Sequence, residues 1–249
     1  MKKKILINPK YEHLRFFITS LPDTFSQNGK VIYQSRNELR VFEKAGLSLN
    51  VKQFGIPLFF NRIIYNGFRP PKALRAYEYA LKLQHLGINT PEAIGCICMS
   101  RRGLLDRCYF ISLQVPYTRR FYEFGTAPLE GKEEIIRAFA RYTARMHEAG
   151  VYHKDYSPGN ILFDIREGKP EFCVVDINRM KFGPVGIKMG CANFARLWGQ
   201  QPFFRILATE YAAARHFDAE VCIKWVLHYR QKFWKAYSQR HPPEFQLDL

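Results

Sequence analysis

Three oxygen-bearing side chains stand at the spacing that phosphoryl transfer requires. Residues 153–160 read HKDYSPGN, which places Asp155 and Asn160 five residues apart on a loop before an apolar segment, and a second apolar segment ends at Asp176. In nucleotide-dependent phosphoryl transfer, one carboxylate accepts the proton of the attacking hydroxyl. An amide and a second carboxylate hold the magnesium that neutralises the phosphates. The pattern predicts a kinase-like phosphotransferase with Asp155 as catalytic base and Asn160 and Asp176 as Mg2+ ligands.

Each of these residues has a plainer explanation when it is taken alone. Asp155 could be a surface turn residue, Asn160 another turn residue, and Asp176 the cap of a strand end. The surrounding order of elements favours catalysis: a helix that stops at Gly150, the loop, a strand, a turn and a second strand. Magnesium takes hard oxygen donors together with substrate phosphates, which suits one amide and one carboxylate. His153 is expected to support the loop by packing and hydrogen bonding.

A strand lysine and a helix glutamate are the predicted contacts to the nucleotide phosphates. Lys52 alternates with apolar neighbours in the segment NVKQF, and Glu78 lies in the helical pattern 73–86. In kinases such a lysine binds the phosphates, and such a glutamate fixes its direction. Residues of this kind more often lie on a solvated face, and Glu38 or Glu43 could replace Glu78 as the partner.

The adenine of ATP is expected at the connector that ends the predicted strand 108–115. Backbone groups of Gln114 and Val115 would contact the edge of the base. No Gly-x-Gly-x-x-Gly precedes Lys52, because Ser-Arg-Asn at 35–37 occupies the turn between the first two predicted strands. Backbone amides of that turn could still contact phosphate, and its arginine adds charge. ATP therefore remains the expected nucleotide.

The elements around these residues predict an α+β fold of two lobes. The predicted strands are 30–35, 39–43, 47–54, 93–98, 108–115, 161–164 and 172–175, and the predicted helices are 73–86, 133–148, 191–198, 202–215 and 218–237. We expect a bilobal protein-kinase-like fold with the nucleotide held between the lobes. Residues 1–115 would form the nucleotide-binding N-lobe, a small antiparallel β-sheet with one helix. Residues 116–249 would form a mainly helical C-lobe with the catalytic loop and the acceptor site.

From residue 150 to residue 179 the sequence resembles the lipopolysaccharide core kinases of the Kdo kinase/WaaP type. The resemblance rests on residues 153–160, on Asp176 followed by Ile-Asn-Arg, and on the short basic helical tail, and it extends from about Lys30 to the last helices. It implies a protein-kinase-like fold and an enzyme that uses ATP to phosphorylate a sugar of the lipopolysaccharide inner core. Kdo and heptose both remain open as that sugar. The resemblance also implies work in the bacterial cytoplasm at the face of the inner membrane.

By resemblance, Asp155 matches the base of that family, Asn160 and Asp176 match its metal ligands, and Lys52 matches its nucleotide lysine. The chain departs from protein kinases after Asp176, where Ile-Asn replaces Phe-Gly and no Ala-Pro-Glu follows. Only residues 180–190 separate Asp176 from the next predicted helix. A protein substrate needs a longer platform there, so we expect a sugar or a lipid-linked sugar as acceptor.

The formal net charge of +16 indicates an anionic partner. Residues 178–241 hold eleven Lys and Arg against three Asp and Glu, and this net +8 is half of the total. We expect this region to bind the carboxylate and phosphate groups of a lipid A core glycolipid, and to approach the anionic surface of the inner membrane. A solvated helix face over a buried aromatic stripe explains the pattern equally well. The cations concerned are Arg179, Lys181, Lys224, His228, Lys232 and Lys235.

The remaining composition indicates a cytoplasmic enzyme, either free or peripheral on the cytoplasmic face of the inner membrane. Met-Lys-Lys-Lys leads into only a short apolar run, and no segment approaches the roughly 20 apolar residues of a membrane span. The six cysteines include no CxxC pair, so reduced and buried thiols are expected. Hydrophobic residues make up 47% of the chain, enough for a sizeable core.

Two other classes of protein stay open at this point. One is a kinase-like enzyme with another acceptor, such as an atypical protein kinase or a small-molecule phosphotransferase. The other is a basic pseudokinase or binding protein that uses the fold only as a scaffold. Intact Asp155, Asn160 and Asp176 argue against lost catalysis. No nucleic-acid-binding module is recognisable, so nucleic acid is not an expected partner.

Overall fold

The computed structural model describes residues 2–56, 70–126 and 128–249. The chain divides into two compact units, Met1–Pro116 and Tyr117–Leu249. The first unit is built on a sheet and the second is mainly helical. The assignment of nucleotide binding to one unit and acceptor binding to the other remains a prediction.

The first unit contains an antiparallel six-stranded sheet with the strand order β1-β5-β6-β4-β3-β2. Its strands are β1 Lys2–Ile7, β2 Lys30–Gln34, β3 Glu38–Lys44, β4 Leu47–Phe54, β5 Ala93–Arg101 and β6 Leu104–Leu113. In β4, Lys52 lies between Leu39 of β3 and Phe110 of β6. Because β4 is hydrogen-bonded along both edges, it holds Lys52 on a rigid central strand.

One helix covers each face of this sheet. Helix α1 (Arg15–Thr24) contributes Ile18 to a core cluster that also contains Ile97 of β5. Helix α2 (Lys72–His85) lies on the other face, where its Tyr77 is close to the thiol of Cys96. Neighbouring residues of a strand point to opposite faces, so the two helices enclose the sheet between them.

The presence of β1 and α1 corrects the predicted N-lobe, which had one helix and no strand before residue 30. The strand β1 reads KKKILI and pairs with β5 through Lys2↔Ser100. Its first three residues are exposed lysines, so the sequence lacks the apolar alternation that would have predicted a strand. Helix α1 contains Pro22, a residue that normally argues against a helix interior. The α+β class is unaffected, because both additions extend the same layered unit.

The second unit is mainly helical. Its helices are α3 Glu133–Glu148, α4 Ile187–Asn193, α5 Gln201–Ala214 and α6 Ala219–Ser238, and its strands are β7 Arg119–Arg120, β8 Val151–His153, β9 Ile161–Arg166, β10 Lys169–Val174 and β11 Met180–Phe182. The strand β11, which was not predicted, pairs with β8. Helix α4 begins at Ile187, and the predicted helix 191–198 was placed too late. Elements this short carry no measurable periodicity, so the sequence pattern could not locate them.

Aromatic rings fill the core beneath the loop 153–160. The ring of Tyr156 stacks on Phe139 of α3 at a centroid distance of 5.6 Å, and Phe121 lies 4.1 Å from Phe139. The hydroxyl groups of Tyr156 and Thr143 are hydrogen-bonded at 2.9 Å. Burial raises the pKa of the Tyr156 phenol, so the ring is a neutral anchor. The loop is thereby fixed to the longest helix before it.

All six cysteines are buried, as the sequence predicted. Within the described part of the chain, no helix combines the length and the apolar character needed to cross a lipid bilayer.

Candidate active site

The strand that leads into the loop 153–160 starts from a sharp turn that favours glycine. After α3, Gly150 adopts a φ of +71°, and a Cβ there would lie 3.2 Å from the carbonyl oxygen of Gly183. The Gly183 N–H donates to the Gly150 carbonyl at 2.8 Å. The left-handed conformation and the close backbone approach both favour glycine, because a side chain here would be strained and would have to displace the Gly183 backbone. The chain therefore enters β8 directly from the end of α3.

His153 ties together the two segments that carry the predicted site. Its Nδ1 accepts the backbone N–H of Asp155 at 3.1 Å, and its Nε2 pairs with the carbonyl oxygen of Val175 at 3.0 Å. These partners require a neutral ring with the proton on Nε2. Burial lowers the pKa of His153, which keeps this form. One imidazole thus fixes both the candidate base and the residue before Asp176, the supporting role that the sequence predicted.

Asn160 faces the same loop. Its Nδ2 donates to the carbonyl oxygen of Asp155 at 2.9 Å and to Ser157 Oγ at 3.3 Å. The backbone N–H of Val175 donates to the Asn160 carbonyl at 3.0 Å, which brings the segment ending in Asp176 beside the loop. The backbone contacts therefore bring the three predicted segments together.

Asp176 occupies a strained backbone position. Its φ of 55° and ψ of 43° lie in the left-handed region, which is uncommon for residues other than glycine. The side chain of Asn178 donates to Asp176 Oδ1 at 2.6 Å. Asn178 is buried, so it forms a firm support for the carboxylate. Strain of this kind persists where the surrounding structure fixes the residue, and it concentrates at functional sites.

The donors at this position fit magnesium by their chemistry. The Asn160 amide nitrogen is turned toward the loop by its bonds to Asp155 and Ser157, so Oδ1 is the atom left to act as ligand. Asp176 supplies a carboxylate. One amide oxygen and one carboxylate, completed by phosphate oxygens and water, match the hard oxygen ligands of Mg2+.

Two arginines contact the carboxylate of Asp155. Arg196 Nη1 donates to Asp155 Oδ1 at 2.6 Å, and Arg179 Nη1 lies 3.5 Å from Oδ2. The Asp155 side chain is 22% exposed, so solvent still reaches it. Arg179 was predicted near the acceptor, whereas Arg196 was counted only as part of the basic segment. No local signal marks Arg196, because it lies 41 residues from Asp155 in the sequence.

A buried polar chain supports the loop from below and was also not predicted. Asn193 Nδ2 donates to the carbonyl of His153 at 2.8 Å, and Asn193 Oδ1 pairs with His147 Nε2 at 2.9 Å. His147 Nδ1 pairs with the Tyr211 hydroxyl at 2.9 Å. A Cβ on Gly190 would lie only 2.1 Å from this Tyr211 hydroxyl oxygen. Residue 190 therefore has to be glycine for the hydrogen bond to form as it does. Buried polar groups of this kind were not identifiable from a sequence pattern.

The first unit places Lys52 and Glu78 on the same side of its sheet. Lys52 is in register with Phe110, which in turn pairs with Cys96, the thiol next to α2. Glu78 lies exposed on α2 and acts electrostatically on the same thiol. Lys52 Nζ also lies 5.2 Å from the ring centre of Phe54. Lys52 and Glu78 thus share one side of the sheet. An ion pair between them in the nucleotide-bound enzyme remains a prediction.

The predicted adenine connector is already hydrogen-bonded. The Gln114 N–H donates to the carbonyl of Ser48 at 2.9 Å, and the Gln114 side chain donates to the Val115 carbonyl at 3.3 Å and accepts from Asn50 at 2.7 Å. A carbonyl oxygen has two lone pairs, so Val115 can accept a second donor. Contact of Gln114 and Val115 with adenine therefore remains a prediction.

The turn that replaces a glycine-rich loop is held by its asparagine. The Gly55 N–H donates to Asn37 Oδ1 at 3.2 Å. A Cβ on Gly55 would lie 2.2 Å from the carbonyl oxygen of Arg36, so the turn packs directly on the backbone of the neighbouring strand. The turn 35–37 is therefore anchored by a side chain and by close backbone packing.

Helix α6 presents cations toward solvent and aromatic rings toward the loop. Its exposed cations include Lys224, His228, Lys232 and Lys235. The Arg196 guanidinium lies 5.3 Å from the centre of the Phe233 ring, and Lys188 Nζ lies 4.6 Å from Trp225. Such cation–π contacts hold charged groups at defined positions. Through Phe233, helix α6 therefore contacts one of the two arginines that bind Asp155.

Comparison with known structures defines the class. The chain aligns with the solved structure "WaaP in complex with acyl carrier protein" at a TM-score of 0.62 and 16% identity, covering 93% of this chain and 99% of that one. The chain thus has the α+β protein-kinase-like fold that the sequence predicted.

Comparison with sequences gives the family. A protein named 3-deoxy-D-manno-octulosonic acid kinase, from Vibrio cholerae serotype O1, is 26% identical over 227 residues, which is 83% of each chain. One of the same name, from Vibrio parahaemolyticus serotype O3:K6, is 24% identical over 144 residues, 57% of this chain and 55% of that protein. The lipopolysaccharide kinase (Kdo/WaaP) family model matches residues 35–203. The chain belongs to this family and is a phosphotransferase of the lipopolysaccharide core, which confirms the resemblance in the sequence.

Proposed function

We propose that this enzyme transfers the γ-phosphoryl group of ATP to a hydroxyl of Kdo in the lipopolysaccharide inner core. The two relatives named 3-deoxy-D-manno-octulosonic acid kinase support this choice of sugar over heptose. The observation that carries the catalytic assignment is the His153 ring, which binds the Asp155 amide and the Val175 carbonyl at once. This contact supports the assignment, because one rigid ring joins the loop of the proposed base to the segment that ends in the proposed metal ligand.

In the proposed reaction Asp155 orients the acceptor hydroxyl and accepts its proton. The hydroxyl oxygen forms a bond to the γ-phosphorus as the bond from that phosphorus to the β–γ bridging oxygen breaks, and ADP leaves. Positioning and charge stabilisation supply most of the rate enhancement in such transfers. Asn160 and Asp176 would hold Mg2+, which neutralises phosphate charge when it is bound.

Four residues of the first unit complete the proposed nucleotide site. Lys52 would contact the phosphates, and Glu78 would direct it from α2. Backbone groups of Gln114 and Val115 would contact adenine. The central position of β4 supports the first of these roles, since a strand bonded on both edges holds its side chains in place.

The acceptor is proposed to be a lipid A core glycolipid that is bound at the cytoplasmic face of the inner membrane. The exposed cations of α6 and those at Asp155 suit the carboxylates and phosphates of such a molecule. They also suit an anionic bilayer surface, where each cation contributes about 1 kcal/mol.

The test is the product formed from competing acceptors. Purified enzyme is incubated with ATP, magnesium and a mixture of Kdo-bearing lipid A, heptose-bearing core, a generic protein substrate and an aminoglycoside. Mass spectrometry is expected to find one added phosphate on the Kdo of the glycolipid. Phosphate on heptose would show that heptose is the acceptor sugar and that the choice of Kdo is wrong. Phosphate on the protein or the aminoglycoside would contradict the proposed function as a whole.

A further inference from the structure

We propose that Arg196 recognises a carboxylate on the acceptor sugar, next to the hydroxyl that is phosphorylated. This inference rests on the proposed function and adds a specificity-determining residue to it. Arg196 would make the enzyme select an acidic sugar over a neutral one of similar shape. No other residue of the described chain binds the Asp155 carboxylate as closely.

The first argument is position. Arg196 Nη1 binds Asp155 Oδ1 at 2.6 Å, so its guanidinium lies beside the proposed base. A base must contact the acceptor hydroxyl in order to accept its proton. Any group that Arg196 binds in addition is therefore a near neighbour of that hydroxyl, and a carboxylate on the acceptor sugar is such a group.

The second argument is the balance of charge and donors. A guanidinium has five N–H donors, and Asp155 offers one carboxylate to both Arg196 and Arg179. Within the described residues, Asp155 is the hydrogen-bond partner of Arg196, through Nη1 alone. The Arg196 side chain is 40% exposed, so its other nitrogens face solvent. One positive charge and several donors thus remain next to the base.

The third argument is rigidity. The Arg196 guanidinium lies over the Phe233 ring as well as against Asp155, so two contacts fix its plane. Arg179 is more exposed, and its nitrogen lies 3.5 Å from Asp155. A fixed planar fork favours bidentate binding of a planar carboxylate, whereas a lysine at this site could act only as a point charge.

The test compares acceptors as well as enzymes. The full chain is assayed with Kdo-bearing lipid A and with the same molecule after its Kdo carboxylate is converted to the amide. The wild-type enzyme is expected to prefer the acid by at least about tenfold in kcat/KM, the range of a charge-assisted hydrogen bond. This measurement needs no variant, and equal use of both acceptors by the wild-type enzyme would overturn the inference.

Variants then locate the selectivity. Arg196→Gln is expected to bring the acid-to-amide ratio close to one with KM for ATP unchanged, and Arg196→Lys is expected to restore part of the ratio. Arg205→Gln, an exposed arginine on α5, is the control and should keep the wild-type ratio. A wild-type ratio in Arg196→Gln would overturn the inference, as would an effect on the KM of ATP alone. If Arg196→Gln lowered kcat/KM equally on both acceptors, Arg196 would only position Asp155. That result would also overturn the inference.

The two proposals fail in different ways. If the wild-type enzyme phosphorylates neither form of the Kdo glycolipid but does phosphorylate another acceptor, the proposed function is wrong, and this inference falls with it. If the enzyme phosphorylates both forms equally, the proposed function stands and only the role of Arg196 is wrong.

Discussion

The side chain of Asn193 donates a hydrogen bond to the backbone carbonyl of His153 at 2.8 Å. Its other amide atom accepts from His147 on α3, at 2.9 Å. Asn193 therefore joins the end of α4 to the strand that leads into the loop 153–160. All three residues are buried, so neither bond competes with water.

Removal of this link is expected to affect both stability and turnover. Asn193→Ala leaves the His153 carbonyl and one His147 nitrogen without a partner, at a cost of about 1–3 kcal/mol for each buried group. We expect a lower midpoint in urea unfolding and a fall in kcat, because the loop loses its fixed position. The control is Thr209→Ala on the exposed face of α5. Wild-type kcat in Asn193→Ala would contradict this role.

The catalytic assignments predict a loss of activity without a loss of fold. Asp155→Asn keeps the shape of the side chain but cannot accept the proton, so kcat is expected to fall by roughly 100-fold or more. Circular dichroism should show the wild-type fold. Substitution of an exposed carboxylate, Glu220→Gln at the start of α6, is the matched control. Retained turnover in Asp155→Asn would refute the assignment of the base.

Two variants of Asp176 can separate an effect on metal binding from an effect on stability, since the backbone of this residue is left-handed. Asn tolerates this conformation better than Ala does. Asp176→Asn should therefore keep the wild-type stability but raise the magnesium concentration needed for half-maximal rate. Asp176→Ala should lose stability as well. Titration of activity with magnesium, together with thermal unfolding, separates the two effects. An unchanged magnesium requirement in both variants would speak against a metal ligand here.

His147 predicts a pH dependence of stability. Burial lowers its pKa from 6.5 to about 4. Between these values the unfolded chain binds a proton that the folded chain does not, so the free energy of unfolding falls as the pH drops from 6.5 toward 4. The full difference is about 3 kcal/mol. We expect the free energy of unfolding, measured in urea, to fall less between pH 7 and pH 4 in His147→Gln than in the wild type. The control variant His228→Gln should lose as much stability as the wild type does. Equal losses in all three would contradict the prediction.

The basic face of α6 predicts an effect on acceptor use alone. Lys224→Glu with Lys232→Glu reverses two exposed charges on one face. We expect a higher KM for lipid-presented acceptor and an unchanged KM for ATP, and the difference should shrink at high salt because exposed charges are screened. Turnover equal to the wild type on acceptor in anionic vesicles would show that this face is merely solvated.

The sequence by itself determined the parts whose signal is local. The spacing of Asp155, Asn160 and Asp176 identified the class of chemistry, and the apolar periods located α3 and β4 with the bounds that the structure has. Period and spacing depend on neighbours a few residues away, so one sequence contains them. The same signal failed for β1, where three lysines interrupt the strand pattern, and for the short helix α4.

Only the tertiary structure decided which distant residues support and surround Asp155 and its loop. Arg196 reaches Asp155 across 41 positions, Asn193 reaches His153 across 40, and Tyr211 reaches His147 across 64. No period in the chain encodes such pairs, because they follow from the way α4 and α5 pack on α3 and the loop. A buried asparagine or a half-buried arginine gains its role from the partner that packing provides.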